Sequence, residues 1–241
     1  MEERNDWHPV ALSTSIKPAT SAGTRLFDEE LVVWRDTGEA THIWEDRCPH
    51  RGMKLSFGFV RGDHIACLYH GWQYDAAGQC RYIPAHPDIK VPPAIKVKTY
   101  GAAEQDGMIW AALGPDLPPL PSRSATETLP VRSLYLRGGT GRALNLLRDH
   151  PPRSFTQEAG PAQIEPVSPT LFRIRAGTDA LLIGVQALSG SRTALHIVIA
   201  GPAAAYQGAG QLHFLRWANA LRHDAETVQV EPAATALGEA V

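Results

Sequence analysis

Two cysteines and two histidines fall within one window, CPHRGMKLSFGFVRGDHIACLYHGW, residues 48 to 72. Cys48 and His50 form a Cys-x-His pair; after sixteen intervening residues, Cys67 and His70 form Cys-x-x-His. Each pair brings one soft thiolate and one borderline imidazole. A tetrahedral zinc ion accepts such a set, but zinc fingers usually pair cysteine with cysteine and histidine with histidine along the chain. Here the types alternate, which suits a binuclear centre better. Two facing loops could each give a cysteine to one metal and a histidine to the other, as in iron–sulfur clusters where two histidines replace two cysteines on one iron.

Such ligands need rigid loops, and the flanking sequence supplies strands to carry them. EELVVWRDTGEATHIWED places β-branched and aromatic runs on both sides of Asp36-Thr37-Gly38, a hairpin signal. YDAAGQCRYI repeats the design around Gly78, and VKTYGAAEQDGMIWAAL repeats it around Asp106-Gly107. Short strands with close turns predict a compact antiparallel barrel or sandwich. Trp34, Trp44 and Trp110 lie in these strand patterns and are assigned to its core. GPDLPPLPSRSATETLP is too rich in proline for a sheet interior. Residues 115–130 are therefore read as a Pro-rich linker between a domain at 1–114 and another at 131–241. In the latter, TLFRIRAG, DALLIGVQAL and RTALHIVIAG predict three strands, the last two joined at Ser189-Gly190-Ser191. Leu212, Leu215, Ala218 and Leu221 recur at helical spacing in QLHFLRWANALRHDAETV, so this half reads as a small α+β domain.

The bulk properties narrow the partners. The chain has 241 residues, 44% hydrophobic and 20% charged, an ordinary globular composition. A net charge of −2 leaves no electrostatic footprint for nucleic acid or an anionic membrane. No run approaches the roughly 18 apolar residues of a membrane span, and MEERNDWHPV lacks the apolar core of a signal peptide. Three cysteines do not make a disulfide framework. The expected compartment is the cytoplasm, where reduced thiols are free to ligate metal.

The residues around the ligands carry a closer likeness. CPHRG, LSFG and C-x-YHGWQYD closely resemble the Rieske domain of the bacterial non-haem iron oxygenases, the ring-hydroxylating and demethylating family. NDWHPVALSTSIKP is similar to that family's amino-terminal strand region, and VPPAIKVKTYGAAEQDGMIWAALG to the segment closing its Rieske domain. The resemblance covers residues 5 to 114. It implies a mainly β domain of antiparallel sheets, with two loops binding a [2Fe–2S] cluster through Cys48, His50, Cys67 and His70. Arg51, Gly52, Tyr69, Gly71 and Trp72 are then expected to surround the cluster. Leu68 stands where the family usually has proline, which implies a less rigid loop. High-potential respiratory Rieske proteins carry two further cysteines in these loops, at the positions of Met53 and Tyr69 here, so no bridge is expected. Cys80 is read as a small buried strand residue. Those proteins also aim a serine hydroxyl at cluster sulfur from the position of Trp72. Fewer donors to sulfur imply a potential near the low end of the Rieske range, around −150 mV. Arg47, Arg51 and Arg61 are read as solvated surface near the loops, and His64 as surface polarity.

In that family the cluster passes electrons to a mononuclear iron held by two histidines and a carboxylate on a helix-grip domain. Its signature is Asp-x-x-His with a second histidine four or five residues on. After residue 131 the histidines are His150, His196, His213 and His223, and no two share one helix face. ALNLLRDHPPRSF brings Asn145, Asp149 and His150 together, but Pro151-Pro152 halts any helix there. ALLIGVQALSGSRTALHIVIAG and the helix after it nonetheless resemble the end of the oxygenase catalytic domain. The resemblance thus implies a truncated oxygenase-like α+β domain without mononuclear iron or catalytic residues. The expected role is an electron-transfer subunit in a head-to-tail hetero-oligomer, relaying electrons from a flavin/iron–sulfur reductase to the iron of a catalytic oxygenase subunit. The alternatives are a self-sufficient mono- or dioxygenase (hydroxylase or demethylase) with a divergent iron site, a free ferredoxin-like carrier, and a structural zinc protein.

Overall fold

A computed structural model describes residues 2–158, 160–188 and 191–227. The strands are β1 (His8–Leu12), β2 (Thr20–Leu26), β3 (Glu29–Arg35), β4 (Thr41–Glu45), β5 (Phe59–Arg61), β6 (His64–Ala66), β7 (Gln73–Asp75), β8 (Cys80–Tyr82), β9 (Thr99–Gln105) and β10 (Met108–Ala112) in the first half. The second half adds β11 (Thr128–Arg137), α1 (Thr140–Asp149), β12 (Gln163–Ser168), β13 (Leu171–Ala176), β14 (Asp179–Ala187), β15 (Arg192–Ala200), α2 (Ala203–Tyr206) and α3 (Ala209–Thr227). They form three antiparallel sheets, ordered β1-β10-β9-β4-β3-β2, β5-β6-β7-β8 and β11-β15-β14-β13-β12. The mainly β fold class expected from the sequence is the one found.

The three predicted hairpins close where their turn residues stand. Asp36 N–H bonds Ala40 O at 3.0 Å between β3 and β4, and Gly78 N–H bonds Asp75 O at 2.7 Å between β7 and β8. Asp106 and Gly107 both take positive φ, 53° and 73°, the requirement of a primed two-residue turn between twisted strands.

Period-two alternation then sorts the side chains of the first half onto two faces. Val32, Trp34 and Trp44 point into the core that also holds Cys48, Cys67 and Tyr74. Their neighbours Leu31, Val33 and Ile43 enter a second core with Ile109 and Ala111. The ligand loops therefore leave strands whose inward residues are already fixed by packing.

The central strands of the second half read as nearly continuous apolar runs because both their faces are covered. Leu181, Ile183, Val185, Leu195, Ile197 and Ile199 pack under α1 and α3, against Ala143, Leu147, Phe214 and Leu221. Leu182 and Val198 turn the other way and share a core with Met108, Trp110, Trp7 and Leu12 of the first half. Gly184 permits this contact, since a Cβ there would stand 2.7 Å from Met108 Sδ and from Pro9 Cγ.

The Pro-rich stretch lies along the first half. Pro118 O accepts from Trp7 Nε1 at 2.6 Å, and Pro121 O accepts from Gln105 Nε2 at 2.7 Å. Two strands not expected from the sequence, β11 and β12, complete the sheet of the second half at its edges. Of the turn expected at Ser189-Gly190-Ser191, Ser189 and Gly190 lie outside the described residues, as does the chain beyond residue 227.

Candidate metal centre

The two candidate ligand loops are built alike. Cys48 N–H bonds Met53 O at 2.8 Å and Gly52 N–H bonds Cys48 O at 2.9 Å. In the second loop Cys67 N–H bonds Trp72 O at 2.8 Å and Gly71 N–H bonds Cys67 O at 2.9 Å. Each loop thus closes by the same two bonds, with a glycine at the same place. Gly52 has φ 72° and Gly71 has φ 68°, the left-handed conformation that residues with a Cβ avoid. Gly71 has a second constraint, because its Cβ would meet Pro84 Cγ at 3.0 Å. The first loop follows β4; the second joins β6 to β7, so the hairpins of the first half set both.

The four side chains separate by chemistry. Cys48 and Cys67 are buried at 2% and 3% exposure, whereas His50 is half-buried and His70 exposed. The imidazoles meet edge to face with centroids 4.6 Å apart. Trp72 stacks on His50 at 4.3 Å and 5° between planes, and Tyr69 leans on His70 at 3.9 Å. The aromatic pair therefore fixes both rings at the surface, while the sulfurs lie beneath.

Both thiols are free and buried. The hydrogen bond with Cys67 draws the Cys48 thiol down to about 5, against burial that raises it. The Tyr74 hydroxyl, 3.1 Å away, and the backbone N–H groups of His50 and Arg51 add to the lowering. The same pairing and burial push Cys67 up, although the N–H groups of Tyr69 and His70 offset part of it. Two buried sulfurs side by side, each offered two backbone N–H donors, make a sphere suited to a metal cation. Among the described residues no three Cys, His, Asp or Glu side chains converge on a single ion. The donor set is instead an inner sulfur pair and an outer imidazole pair, which fits a binuclear [2Fe–2S] group with two protein ligands per iron. Cys48, Cys67, His50 and His70 are the residues that could hold it.

Two readings of nearby residues change. Tyr74 was not singled out in the sequence, yet its hydroxyl supplies a donor to Cys48 Sγ, so counting donors from Trp72 alone undercounts them. Its position two residues after Trp72, on the same face of the strand entering the core, was the available signal. His64, expected at the surface, has a side chain only 12% exposed and bonds Arg81 through Nδ1, with its Nε2 buried. Arg81 is in turn held by Asp63 at 2.8 Å, so this ion pair covers the ring. Cys80 is buried on β8, and burial pushes its thiol up.

Three histidines of the second half, His150, His196 and His213, have their own local partners. His150 ends α1 with Nδ1 3.4 Å from Asp224 of α3, while Trp217 Nε1 bonds its carbonyl at 2.9 Å. His213 Nε2 lies 3.0 Å from Arg153 O. Asn145 accepts from Arg148 at 2.9 Å. His196 is fully buried on β15 between Ser133 Oγ and Gln186 Oε1, each at 2.8 Å. Gln186 Nε2 donates to Thr24 Oγ1 at 3.0 Å and Arg25 O at 2.6 Å, so its oxygen faces His196. His196 therefore carries its proton on Nε2 and accepts from Ser133 at Nδ1. This chain of polar groups joins the two halves.

Comparison with known proteins follows the same division. Residues 6–100 match the family model described as Rieske [2Fe-2S] domain. The chain is 38% identical over 111 residues to oxidoreductase NdmD of Pseudomonas putida, a match spanning 46% of this chain and 19% of that protein. It is 41% identical over 115 residues to the methylxanthine N1-demethylase NdmA of Pseudomonas putida, spanning 46% of this chain and 32% of the relative. The matched part is thus about a third or less of each relative's length. The solved structure of NdmA from Pseudomonas putida CBB5 superposes with a TM-score of 0.73 at 22% identity, covering 99% of this chain and 86% of that one. At that identity the superposition speaks for the fold of the whole chain, and the sequence matches for its first half.

Proposed function

From the premise that this chain carries a Rieske [2Fe–2S] domain and has the fold of the Rieske non-haem iron oxygenases, we infer that it is the electron-transfer subunit of a heteromeric oxygenase. It takes electrons from a flavin/iron–sulfur reductase and delivers them to the mononuclear iron of a partner subunit, in the cytoplasm. The observation that carries this reading is the polarity of the donor set: sulfurs inside, imidazoles at the surface. When bound, a [2Fe–2S] cluster supplies a one-electron store between reductase and oxygenating iron. Cys48 and Cys67 would hold one iron, His50 and His70 the other. The surface placement of the imidazoles leaves their outer edges available to a carboxylate of the partner. Trp72 and Tyr69 keep those rings oriented, and the core around Trp44 and Tyr74 keeps water from the sulfurs.

The second half, in this reading, serves assembly. His150, His196 and His213 each engage a partner of their own, which ties the elements of this half together. One observation favours a second reading, a self-sufficient oxygenase with a divergent iron site: the fold spans 86% of the NdmA structure. Metal analysis separates the readings. Two irons with two acid-labile sulfides per chain, and co-purification with a longer chain bearing the His/His/carboxylate set, are expected. A third iron, with substrate oxidation by this chain plus reductase and dioxygen, would establish the second reading. Zinc without sulfide would remove both.

A further inference from the structure

A cleft of about 580 Å³ lies where the two halves meet. The first half lines it with Thr24 and Arg25 of β2 and with Lys54 and Phe57; the second half contributes Tyr135 of β11 and Arg192 of β15. Strand parity sets Tyr135, Arg137 and Arg192 on one face of their sheet, because Leu134, Leu136 and Leu195 enter the core on the other. In the strand register Arg137 stands directly opposite Arg192. Like charges in that position repel. Both residues are exposed, and neither makes an ion pair among the described residues. The strand ends are also pinned there, since Thr193 Oγ1 donates to Gly138 O at 2.9 Å. Across the cleft the charge is again unbalanced. Arg25 and Lys54 share one carboxylate, Glu30. Asp46, the acid in the lining, is 3% exposed and accepts from Ser56 N–H at 2.7 Å and Ser56 Oγ at 2.6 Å. Four cations therefore face two carboxylates that are already engaged. Phe57 and Tyr135 are 62% and 50% exposed, one ring from each half. Thr24 Oγ1 accepts from Gln186 Nε2 at 3.0 Å, which leaves its own proton to donate.

We propose that this cleft binds a small planar aromatic dianion, of the aromatic dicarboxylate class, across the junction of the two halves. One carboxylate takes the Arg137–Arg192 pair, whose planar guanidinium forks match it and whose repulsion it cancels. The other faces Arg25 and Lys54 and accepts from the Thr24 hydroxyl. The ring lies against Phe57 and Tyr135, which supply apolar surface and aromatic faces. The site includes none of the candidate cluster ligands, and the inference stands without the electron-transfer reading. Because its walls come from both halves, an occupant stabilises their packed arrangement by mass action.

The test is calorimetry on the cluster-loaded protein with three probes: phthalate, benzyl alcohol as the ring without charge, and succinate as the charge without a ring. Phthalate should bind with a single-site isotherm that weakens with ionic strength, and about tenfold or more tightly than either comparator. It should also raise the melting temperature. The variant R137A/R192A should weaken phthalate binding by about tenfold or more. Its melting temperature without ligand should stay at or above that of the wild type, because the repelling pair is gone. The matched variant K17A/R123A removes two exposed cations elsewhere and should bind phthalate nearly as the wild type does. In F57S/Y135S the preference for phthalate over succinate should vanish. The proposal is overturned if phthalate binds no more tightly than succinate or benzyl alcohol, or if R137A/R192A and K17A/R123A change its affinity alike. A lower melting temperature of unliganded R137A/R192A would overturn it too, since the pair would then be stabilising without an anion.

Discussion

At the scale of single residues, the environment of the sulfurs matters as much as the ligands. Tyr74 reaches Cys48 Sγ at 3.1 Å from within the core. A hydroxyl donating to a ligating sulfur stabilises the more negative, reduced state, and thus raises the potential. Tyr74→Phe should lower the midpoint of the loaded protein by tens of millivolts, within about one 59 mV tenfold step for a one-electron couple. A redox titration in which the variant titrates at or above the wild type would contradict this account. The Trp72 position, lacking a hydroxyl, still argues for a low-potential centre, but the tyrosine makes the estimate of around −150 mV a lower bound. The candidate ligands and their loops were legible because they sit within 25 contiguous residues. Tyr74 was not, because its role depends on which way one strand faces.

At the scale of elements, the sequence revealed hairpins more readily than edges. Turn residues such as Asp106-Gly107 announce themselves through the φ values they permit. β11 and β12 carry mixed polar and apolar residues at the margins of the second half's sheet, where one-sided burial weakens the pattern. The apolar runs of β14 and β15 are explained by burial on two faces, and Gly184 shows how closely those faces approach. Gly184→Val would push its side chain into Met108 and Pro9. Overpacking of this kind costs about 1–3 kcal/mol or more, so the melting temperature should fall by several degrees. An unchanged melting temperature would show that the two sheets can separate at no cost.

For the whole molecule, the two halves are one packed unit. Leu182 and Val198 share a core with Met108 and Trp110, and the His196–Gln186–Thr24 chain crosses the same boundary. Burial holds His196 down to about 4, so it stays neutral in the folded protein. The unfolded chain, with an ordinary histidine near 6.5, binds the proton sooner. Stability from this group is therefore full above pH 6.5 and falls as pH drops toward 4, by about 3 kcal/mol in total. Asp179 follows at lower pH. Burial pushes its carboxyl up, but bonds from Ser154, Tyr206 and the backbone of Thr156 and Phe155 outweigh this and hold it below the usual carboxylate range. Its contribution is present above the unfolded carboxylate value and is lost as pH falls through the folded one. Chemical denaturation of wild type and His196→Gln between pH 4 and 7 should show a shallower slope in the variant; parallel curves would discard the buried histidine as the cause.

The sequence by itself determined the candidate ligand set, the hairpins that carry it and the kind of cofactor it suits, because those depend on residue types at short, fixed spacings. Tertiary structure decided the rest. It paired the sulfurs inside and the imidazoles outside, aimed Tyr74 at Cys48 and covered His64 with an ion pair. Each of these depends on which distant residues a side chain meets, and burial and pairing are properties of the packed chain that local spacing does not encode.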